Sequence, residues 1–285
     1  MAIEPAHPWR SARHKIRQSR AYRTVTLPLR LGAILAQRHS YDQVIVHNAK
    51  FTRGMPPSLL VPLFCRPNRG RFTKPASLTI LLAHNRPAKT LMELSLDYLG
   101  IHDYTVLRMP ADVPWRHTAR IPVMLDWLTS GACTTEYVLF SDCDDALMRD
   151  DPQKAIDLLQ AAGCQMLVSS TAYDAYHGMP DVKVKTESFA PPGRTKTNRP
   201  RIHLNAGVYI ARAGFLREYL EAARQYVTDD DLSIETLNVI SDKDLLRLLP
   251  EFPCGVGSDQ TIMRYLFPRF HPRMKIDYDE RLARR

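Results

Sequence analysis

Glycine is scarce in this sequence, with 12 residues in a chain of 285, below the usual share of about 7%. No Walker-type or dinucleotide-binding glycine fingerprint occurs, which excludes a phosphate site built from a glycine-rich loop. Long apolar runs are missing as well. The longest stretch without Asp, Glu, Lys or Arg is residues 158–173, and Gln, Gly and Ser interrupt it. This stretch is too short and too polar to predict a membrane span.

Cysteines are few and widely spaced. The sequence contains five, with no C-x-x-C pair, so it predicts neither a disulfide scaffold nor a zinc site. A reducing compartment is the simplest interpretation. The only apolar candidate for a signal peptide, residues 27–36, contains Pro28 and Arg30 and follows a long basic run. We therefore expect a cytoplasmic protein. A cytoplasmic protein that binds peripherally to a membrane is the alternative.

Acidic residues are nearly absent from the first quarter of the chain. Residues 1–75 contain 14 Lys and Arg against two acids, whereas the formal net charge of the whole chain is +9. This asymmetry predicts a basic, proline-containing, irregular N-terminal arm (1–75) and a separate domain (76–285). A solvated arm packed on the domain is one interpretation. Contact with an anionic membrane surface through residues 10–38 is a second, and nucleic acid is the least favoured partner.

Strand and helix patterns alternate after residue 75. The predicted strands are 77–83, 104–109, 136–141 and 166–169, and the predicted helices between them are 89–99, 118–128 and 152–162. Short continuous apolar runs of this kind are typical of buried strands, and their alternation with helices predicts an α/β sheet with helices on both faces. Residues 43–47 suit a short strand, and residues 173–200 are expected to be irregular.

Three acids, Asp142, Asp144 and Asp145, directly follow the predicted strand 137–140. Ligands of α/β proteins bind at the carboxyl ends of strands. Neighbouring carboxylates repel one another unless a cation compensates them, and Mg²⁺ and Mn²⁺ prefer oxygen ligands. Two interpretations stay open: a metal bridge to a nucleotide diphosphate, or a solvated acidic turn that caps the strand.

Four motifs in order resemble one enzyme family. Residues 136–146 (EYVLFSDCDDA) resemble the metal-binding strand end of GT-A glycosyltransferases, with both a D-x-D and a D-x-x-D spacing. Residues 201–210 (RIHLNAGVYI), 257–261 (GSDQT) and 275–279 (KIDYD) resemble later motifs of the glycosyltransferase domain of procollagen lysyl hydroxylases and related collagen sugar transferases. The resemblance covers about residues 77–280 and implies a GT-A-like fold with a mixed, mostly parallel sheet.

The resemblance implies a hexosyltransferase that uses a nucleotide sugar, with UDP as the expected nucleotide. Asp142 and Asp145 would hold Mn²⁺ or Mg²⁺ on the diphosphate, and Asp144 is the alternative second ligand. The acceptor (glycan, lipid-linked or protein) and the stereochemistry stay open.

Further residues carry over by position. Asn205 and Gly207 would line the sugar pocket. Asp259 would face the donor sugar or the acceptor hydroxyl, with Gln260 beside it. Asp259 is thus the candidate base, or otherwise an ordinary helix N-terminal acid. The looser candidates for contact with the nucleotide are Trp115, Arg120 and, after the first strand, His84.

The sequence departs from the family pattern in two places. Ser258 stands where the family has a second acid before Gln, and no histidine follows the strand 275–278 to serve as a third metal ligand. A ligand from elsewhere in the chain, a metal held by the Asp pair and diphosphate alone, and a weakened enzyme are the three interpretations.

Two other function classes remain open at the level of sequence. One is a nucleotidyl or phosphoryl transferase that uses Asp142 and Asp144 with two metals. The other is a non-catalytic protein that binds anionic surfaces on a transferase scaffold.

Overall fold

The computed structural model describes most of the chain after residue 42. The described residues are 43–47, 55–65, 68–113, 115–174, 176, 179–194, 200–227 and 258–284. Within them the strands are β1 (Ile45–His47), β2 (Leu78–His84), β3 (Thr105–Arg108), β4 (Tyr137–Ser141), β5 (Ala146–Met148), β6 (Met166–Thr171), β7 (His203–Arg212), β8 (Met274–Asp277) and β9 (Ala283–Arg284). The α-helices are α1 (Pro57–Cys65), α2 (Leu91–Leu99), α3 (Arg120–Thr129), α4 (Gln153–Ala161), α5 (Pro180–Ser188), α6 (Ala213–Arg224) and α7 (Asp259–Phe270).

All described strands belong to one mixed sheet. Its order is β3-β2-β4-β7-β6-β9-β1-β5, and β8 pairs with β6 beside this path. The pairs β4–β7, β6–β7 and β1–β5 are antiparallel, and the other pairs are parallel. Because β2 and β4 run parallel and side by side, the loops that follow them emerge at the same edge of the sheet.

Strand β2 shows why the sheet is covered on both faces. All seven of its residues are buried. Ile80 and Leu82 join the core cluster that includes buried residues of α1, α2 and α4, whereas Leu81 and Ala83 join the cluster of α3, α6 and α7. Successive side chains of a strand point to opposite faces, so a continuous apolar run matches helices on both sides. The predicted mixed, mostly parallel sheet with helices on both faces is confirmed.

Helix α2 has clear start and stop signals. The Thr90 side chain accepts from the Glu93 backbone N–H, and the Glu93 carboxylate accepts from the Thr90 backbone N–H, which forms a capping box. Gly100 ends the helix at φ 88°, a left-handed conformation that glycine adopts without a steric penalty. These signals fix where α2 begins and ends between the buried strand β2 and the edge strand β3.

Two segments of the predicted N-terminal arm belong to the core. Strand β1 lies between β9 and β5, and α1 buries Leu60, Phe64 and Cys65 in the cluster that contains α2. The many prolines of this region suggested irregular structure, but Pro57 occupies the first turn of α1, where no backbone N–H is needed. The division of the chain at residue 75 stays a prediction, and the expected membrane-contact segment 10–38 lies outside the described residues.

The segment 173–200 is less irregular than expected. Helix α5 forms there, with Pro180 in its first turn, Asp181 near its N-terminus and Lys185 near its C-terminus. These are favourable positions for each residue type. Among the helices of the described residues, none combines the length and the apolar character that crossing a membrane requires.

Candidate active site

The acidic turn lies between β4 and β5, at the carboxyl edge of the parallel strands. Its first residue, Asp142, donates its backbone N–H to the carbonyl of Gly207 (2.6 Å). Gly207 lies in β7, the antiparallel neighbour of β4, where Ser141 pairs with Val208. The turn is therefore anchored to the middle of the sheet, and its carboxylates face an open cleft.

A histidine that the motifs did not indicate completes the acidic turn. His47, which ends β1, is 1% exposed, and its Nε2 lies 3.4 Å from Asp142 Oδ2 and 3.3 Å from Asp145 Oδ1. The antiparallel pairing of β1 with β5 sets His47 opposite Ala146, the residue after Asp145. One potential ligand atom from each of the three residues lies within 4.8 Å of the others.

The charges of this trio compensate one another. Burial alone would lower the pKa of His47, but hydrogen bonding to Asp142 and Asp145 and their negative charges raise it to about 9. Burial would likewise raise the pKa of Asp142, yet His47 and the nearby Arg120 hold it well below its usual range. The two carboxylates thus favour the charged form of His47, and His47 and Arg120 favour the charged form of Asp142.

The donor set of the trio fits a divalent cation. Oxygen and nitrogen ligands bound at about 2.1 Å to one ion lie about 3 Å from each other, and the observed separations of 3.3 and 3.4 Å are close to that value. Carboxylate oxygens suit Mn²⁺ and Mg²⁺, and an imidazole nitrogen suits divalent transition-metal ions such as Zn²⁺ and Fe²⁺. His47, Asp142 and Asp145 could therefore hold a metal, which matches the D-x-x-D spacing.

Gly207 gives the trio its space. A Cβ at this position would lie 2.3 Å from His47 Cε1 and 2.5 Å from Asp142 Oδ2, both closer than van der Waals contact allows. Glycine at position 207 therefore leaves room for these two side chains. Any other residue at this position would push the imidazole or the carboxylate away.

We expect Gly207→Ala to lower the free energy of unfolding by about 1–3 kcal/mol because of this overlap, and to weaken Mn²⁺ binding measured by titration calorimetry. Gly214→Ala is the matched control, since nothing lies within 4 Å of a Cβ there and alanine favours its helix. Equal stability and equal Mn²⁺ affinity in Gly207→Ala and the wild type would contradict the assignment.

A buried arginine joins the acidic turn to the start of α7. Arg120 donates from Nη1 to Asp142 Oδ1 (2.8 Å) and from Nε and Nη2 to Asp259 Oδ2, and it lies over the ring of Phe140. Burial opposes its charge, but the Asp259 and Asp142 carboxylates raise the pKa of Arg120 above its ordinary value. Asp142 and Asp259, which are far apart in sequence, thus converge on one guanidinium.

One carboxylate oxygen of Asp259 is paired with Arg120. Its Oδ2 accepts from two nitrogens of that guanidinium, and the side chain is 8% exposed. This ion pair explains why an acid is buried at the start of α7. The catalytic role of Asp259 as a base stays a prediction.

Polar side chains of β7 and α7 form a hydrogen-bonded network beside Arg120. Asn205 Nδ2 donates to Gln260 Oε1 (3.0 Å), and Asn205 Oδ1 accepts from the backbone N–H of Gly207 (3.1 Å) and from Ser169 Oγ (3.3 Å). The network fixes the orientation of both amides. The predicted sugar-pocket residues therefore lie together, with Asp259 beside them.

Two adjoining clefts, each of about 420 Å³, share Arg120 in their lining. We call them the amide cleft and, after Arg86, the basic cleft. The walls of the amide cleft include Tyr173, Asn205, Gly207, Asp259 and Gln260. The walls of the basic cleft include His84, Arg86, Trp115, Asp144 and Asp145. Asp142, Arg120 and His117 line both, and each volume suits a small-molecule ligand.

His84 and Trp115 line the basic cleft, but the nitrogens of His84 face protein groups. Its Nδ1 accepts from the backbone N–H of Arg86 (3.1 Å), and its Nε2 lies 3.3 Å from Glu93 Oε2. Burial lowers the pKa of His84. His84 therefore supports the loop after β2 in this geometry, and its contact with a nucleotide stays a prediction.

Asp144 is turned away from the trio. It pairs with Arg86 and is half-exposed, and it is absent from the metal-capable group of the described residues. This geometry does not support Asp144 as the alternative metal ligand. It therefore gives no support to a two-metal transferase that uses Asp142 and Asp144.

The motifs missed His47 and Arg86. His47 ends the predicted strand 43–47, so its position at a strand end was visible in the sequence. Its neighbours were not, because the pairing of β1 with β5 joins segments about a hundred residues apart. Arg86 follows His84 by two positions, and only its contact with Asp144 marks it out.

No protein-family model and no curated protein matches the chain. Among solved structures, the chain is similar to a glycosyltransferase involved in the glycosylation of the major capsid of PBCV-1. The two are 16% identical, the match covers 70% of this chain and 81% of that one, and the TM-score is 0.36.

Proposed function

We propose that this protein is a metal-dependent glycosyltransferase that takes a hexose from a nucleotide sugar, with UDP as the expected nucleotide. The observation that carries the proposal is the convergence of His47, Asp142 and Asp145 into one metal-capable group, in which Asp142 lines both clefts. Three motifs that resemble those of collagen sugar transferases meet there, through Asp142, Asn205 and Asp259. The order of these motifs in the sequence does not by itself determine that they lie together in the folded chain.

The site residues divide the work of such a reaction. A divalent ion held by the trio would neutralise the charge that develops on a diphosphate leaving group. Arg120 supplies a second, fixed positive charge beside Asp142. Because it is buried between two carboxylates, it needs no reorganisation during the reaction.

The amide cleft suits a ligand with many hydroxyl groups. Asn205, Gln260 and Asp259 line it with amide and carboxylate groups, which hydrogen-bond to hydroxyls as donors and acceptors. The basic cleft carries Arg86 and the indole of Trp115, which suit a phosphate and a planar base. This division supports a sugar in one cleft and a nucleotide in the other.

The test is titration calorimetry of the wild-type protein with UDP and UDP-sugars, with Mn²⁺ and after removal of metal by EDTA. We expect UDP to bind only with Mn²⁺, and a UDP-sugar to be turned over slowly with release of UDP. The variant Asp126→Asn, which changes an exposed acid on α3, is the control and is expected to behave as the wild type. Binding that is absent with Mn²⁺, or unchanged by EDTA, would refute the proposal.

A further inference from the structure

Arg86 presents its guanidinium to the basic cleft on a fixed loop. The backbone N–H of Arg86 donates to His84 Nδ1 (3.1 Å), and its carbonyl accepts from Arg108 Nη1 (2.8 Å). Arg108 is held in turn by Glu93 Oε1 (3.0 Å), a carboxylate that is 1% exposed. The loop is therefore clamped at both backbone groups, while the side chain itself is 57% exposed.

The partner of Arg86 is held in an incomplete geometry. Nε and Nη2 both donate to the same oxygen, Asp144 Oδ2, at 3.0 and 2.5 Å. The strongest arginine–oxyanion contacts use two parallel bonds to two oxygens. A phosphate group offers several oxygens to this fork, so it would match Arg86 better than Asp144 does.

The exposure of the pair makes it exchangeable. Asp144 is 53% exposed, and ion pairs of this kind contribute little to stability because water and salt screen them. Arg120 provides the contrast, since it is 6% exposed and held by two carboxylates. The site thus contains one arginine that is fixed and one that can change partner at low cost.

We propose that Arg86 binds a phosphate group of the ligand in the basic cleft, and that Asp144 occupies Arg86 when the ligand is absent. Asp144 is then an internal competitor of the anion and no metal ligand. The inference rests on the proposed function for the identity of the anion, a nucleoside diphosphate. It gives Arg86, which is not part of the family motifs, a role in anion binding. It gives Asp144, which the resemblance offered as the alternative metal ligand, the role of a competitor for Arg86.

The experiment measures the affinity of UDP, uridine and inorganic pyrophosphate in the presence of Mn²⁺, and of Mn²⁺ alone. Arg86→Gln is expected to weaken UDP and pyrophosphate at least about tenfold, the usual effect of losing a charge-assisted hydrogen bond. Asp144→Asn is expected to tighten both by a few-fold. Uridine and Mn²⁺ alone are expected to bind both variants as they bind the wild type.

The matched control is the pair Arg224–Asp126, which is also half-exposed or more and lies on α6 and α3. Arg224→Gln and Asp126→Asn are expected to leave all four affinities unchanged. An Arg86→Gln variant that binds pyrophosphate as the wild type does would overturn the inference. Mn²⁺ binding that is weakened in Asp144→Asn as strongly as in Asp142→Asn would also overturn it, because Asp144 would then be a metal ligand.

The outcomes separate this inference from the proposed function. Pyrophosphate binding that depends on Arg86, together with absent UDP binding, would support the anion site and refute the nucleotide-sugar donor. UDP binding with Mn²⁺ that is indifferent to Arg86 would refute the anion site alone. A wild-type protein that binds neither UDP nor pyrophosphate would refute both.

Discussion

Asp142→Asn is expected to reduce Mn²⁺ affinity and sugar transfer by more than about 100-fold. Mutating a residue that only hydrogen-bonds to a metal ligand usually costs about 10–100-fold, and we expect the loss of a ligand itself to cost more. Asp142 combines three contacts: Oδ2 faces His47, Oδ1 accepts from Arg120, and its backbone N–H bonds to Gly207. The amide side chain keeps the shape but removes the charge. Calorimetry with Mn²⁺ and UDP, followed by a UDP-release assay, measures both effects.

The fold of this variant should survive, because Arg120 keeps Asp259 and His47 keeps Asp145 as partners. Circular dichroism and urea unfolding check this point. His47→Ala is expected to reduce Mn²⁺ affinity as well, and Asp126→Asn is the neutral control. Metal-dependent UDP binding that is equal in Asp142→Asn and the wild type would contradict the site.

Arg120→Met is expected to lower the free energy of unfolding by about 3–5 kcal/mol, the usual cost of removing one partner from a buried ion pair. Methionine keeps much of the apolar contact with Phe140 but leaves the carboxylates of Asp259 and Asp142 without their guanidinium. Asp259 is 8% exposed, so water compensates it poorly. Urea unfolding monitored by fluorescence measures the change.

The double variant Arg120→Met/Asp259→Asn distinguishes this cause from a loss of packing. It removes the uncompensated charge of Asp259, so we expect part of the lost stability to return, as a coupling energy in a double-mutant cycle. Arg224→Met, in an exposed pair, is expected to change stability by less than about 0.5 kcal/mol. A stability within about 1 kcal/mol of the wild type in Arg120→Met would show that the buried pair contributes little.

Sequence reasoning succeeded where local pattern and position along a strand decide the outcome. The run 77–83 became β2, because an apolar run bounded by prolines suits a strand that is buried on both faces. The position of the acids after β4 was also predictable. Alternating strands and helices favour parallel neighbouring strands, so the residues that follow them lie at one carboxyl edge of the sheet. Asn205 and Gly207, which the resemblance assigned to one pocket, both line the amide cleft.

Pairing between distant segments could not be read from the sequence. The choice between Asp144 and Asp145 as partner of Asp142 depends on where β1 and Arg86 lie, and neither position follows from spacing. Strand β1 was predicted but its neighbours were not, and α1 was obscured by a basic, proline-containing composition that describes the region as a whole. The ion pair of Arg120 with Asp259 joins residues 139 positions apart, and only the folded sheet brings them into contact.

The short strand β1 has a practical consequence for how the protein can be divided. Its backbone bonds to residues near the C-terminal end through Val44 and Ile45, whose N–H groups donate to Arg281 and Leu282, and it ends on His47. A chain that begins at residue 76 would therefore keep every acid of the site but lose the imidazole and one neighbour of β9. His47, Asp142 and Asp145 thus come together only in a chain that keeps β1, which pairs with β5 on one side and β9 on the other.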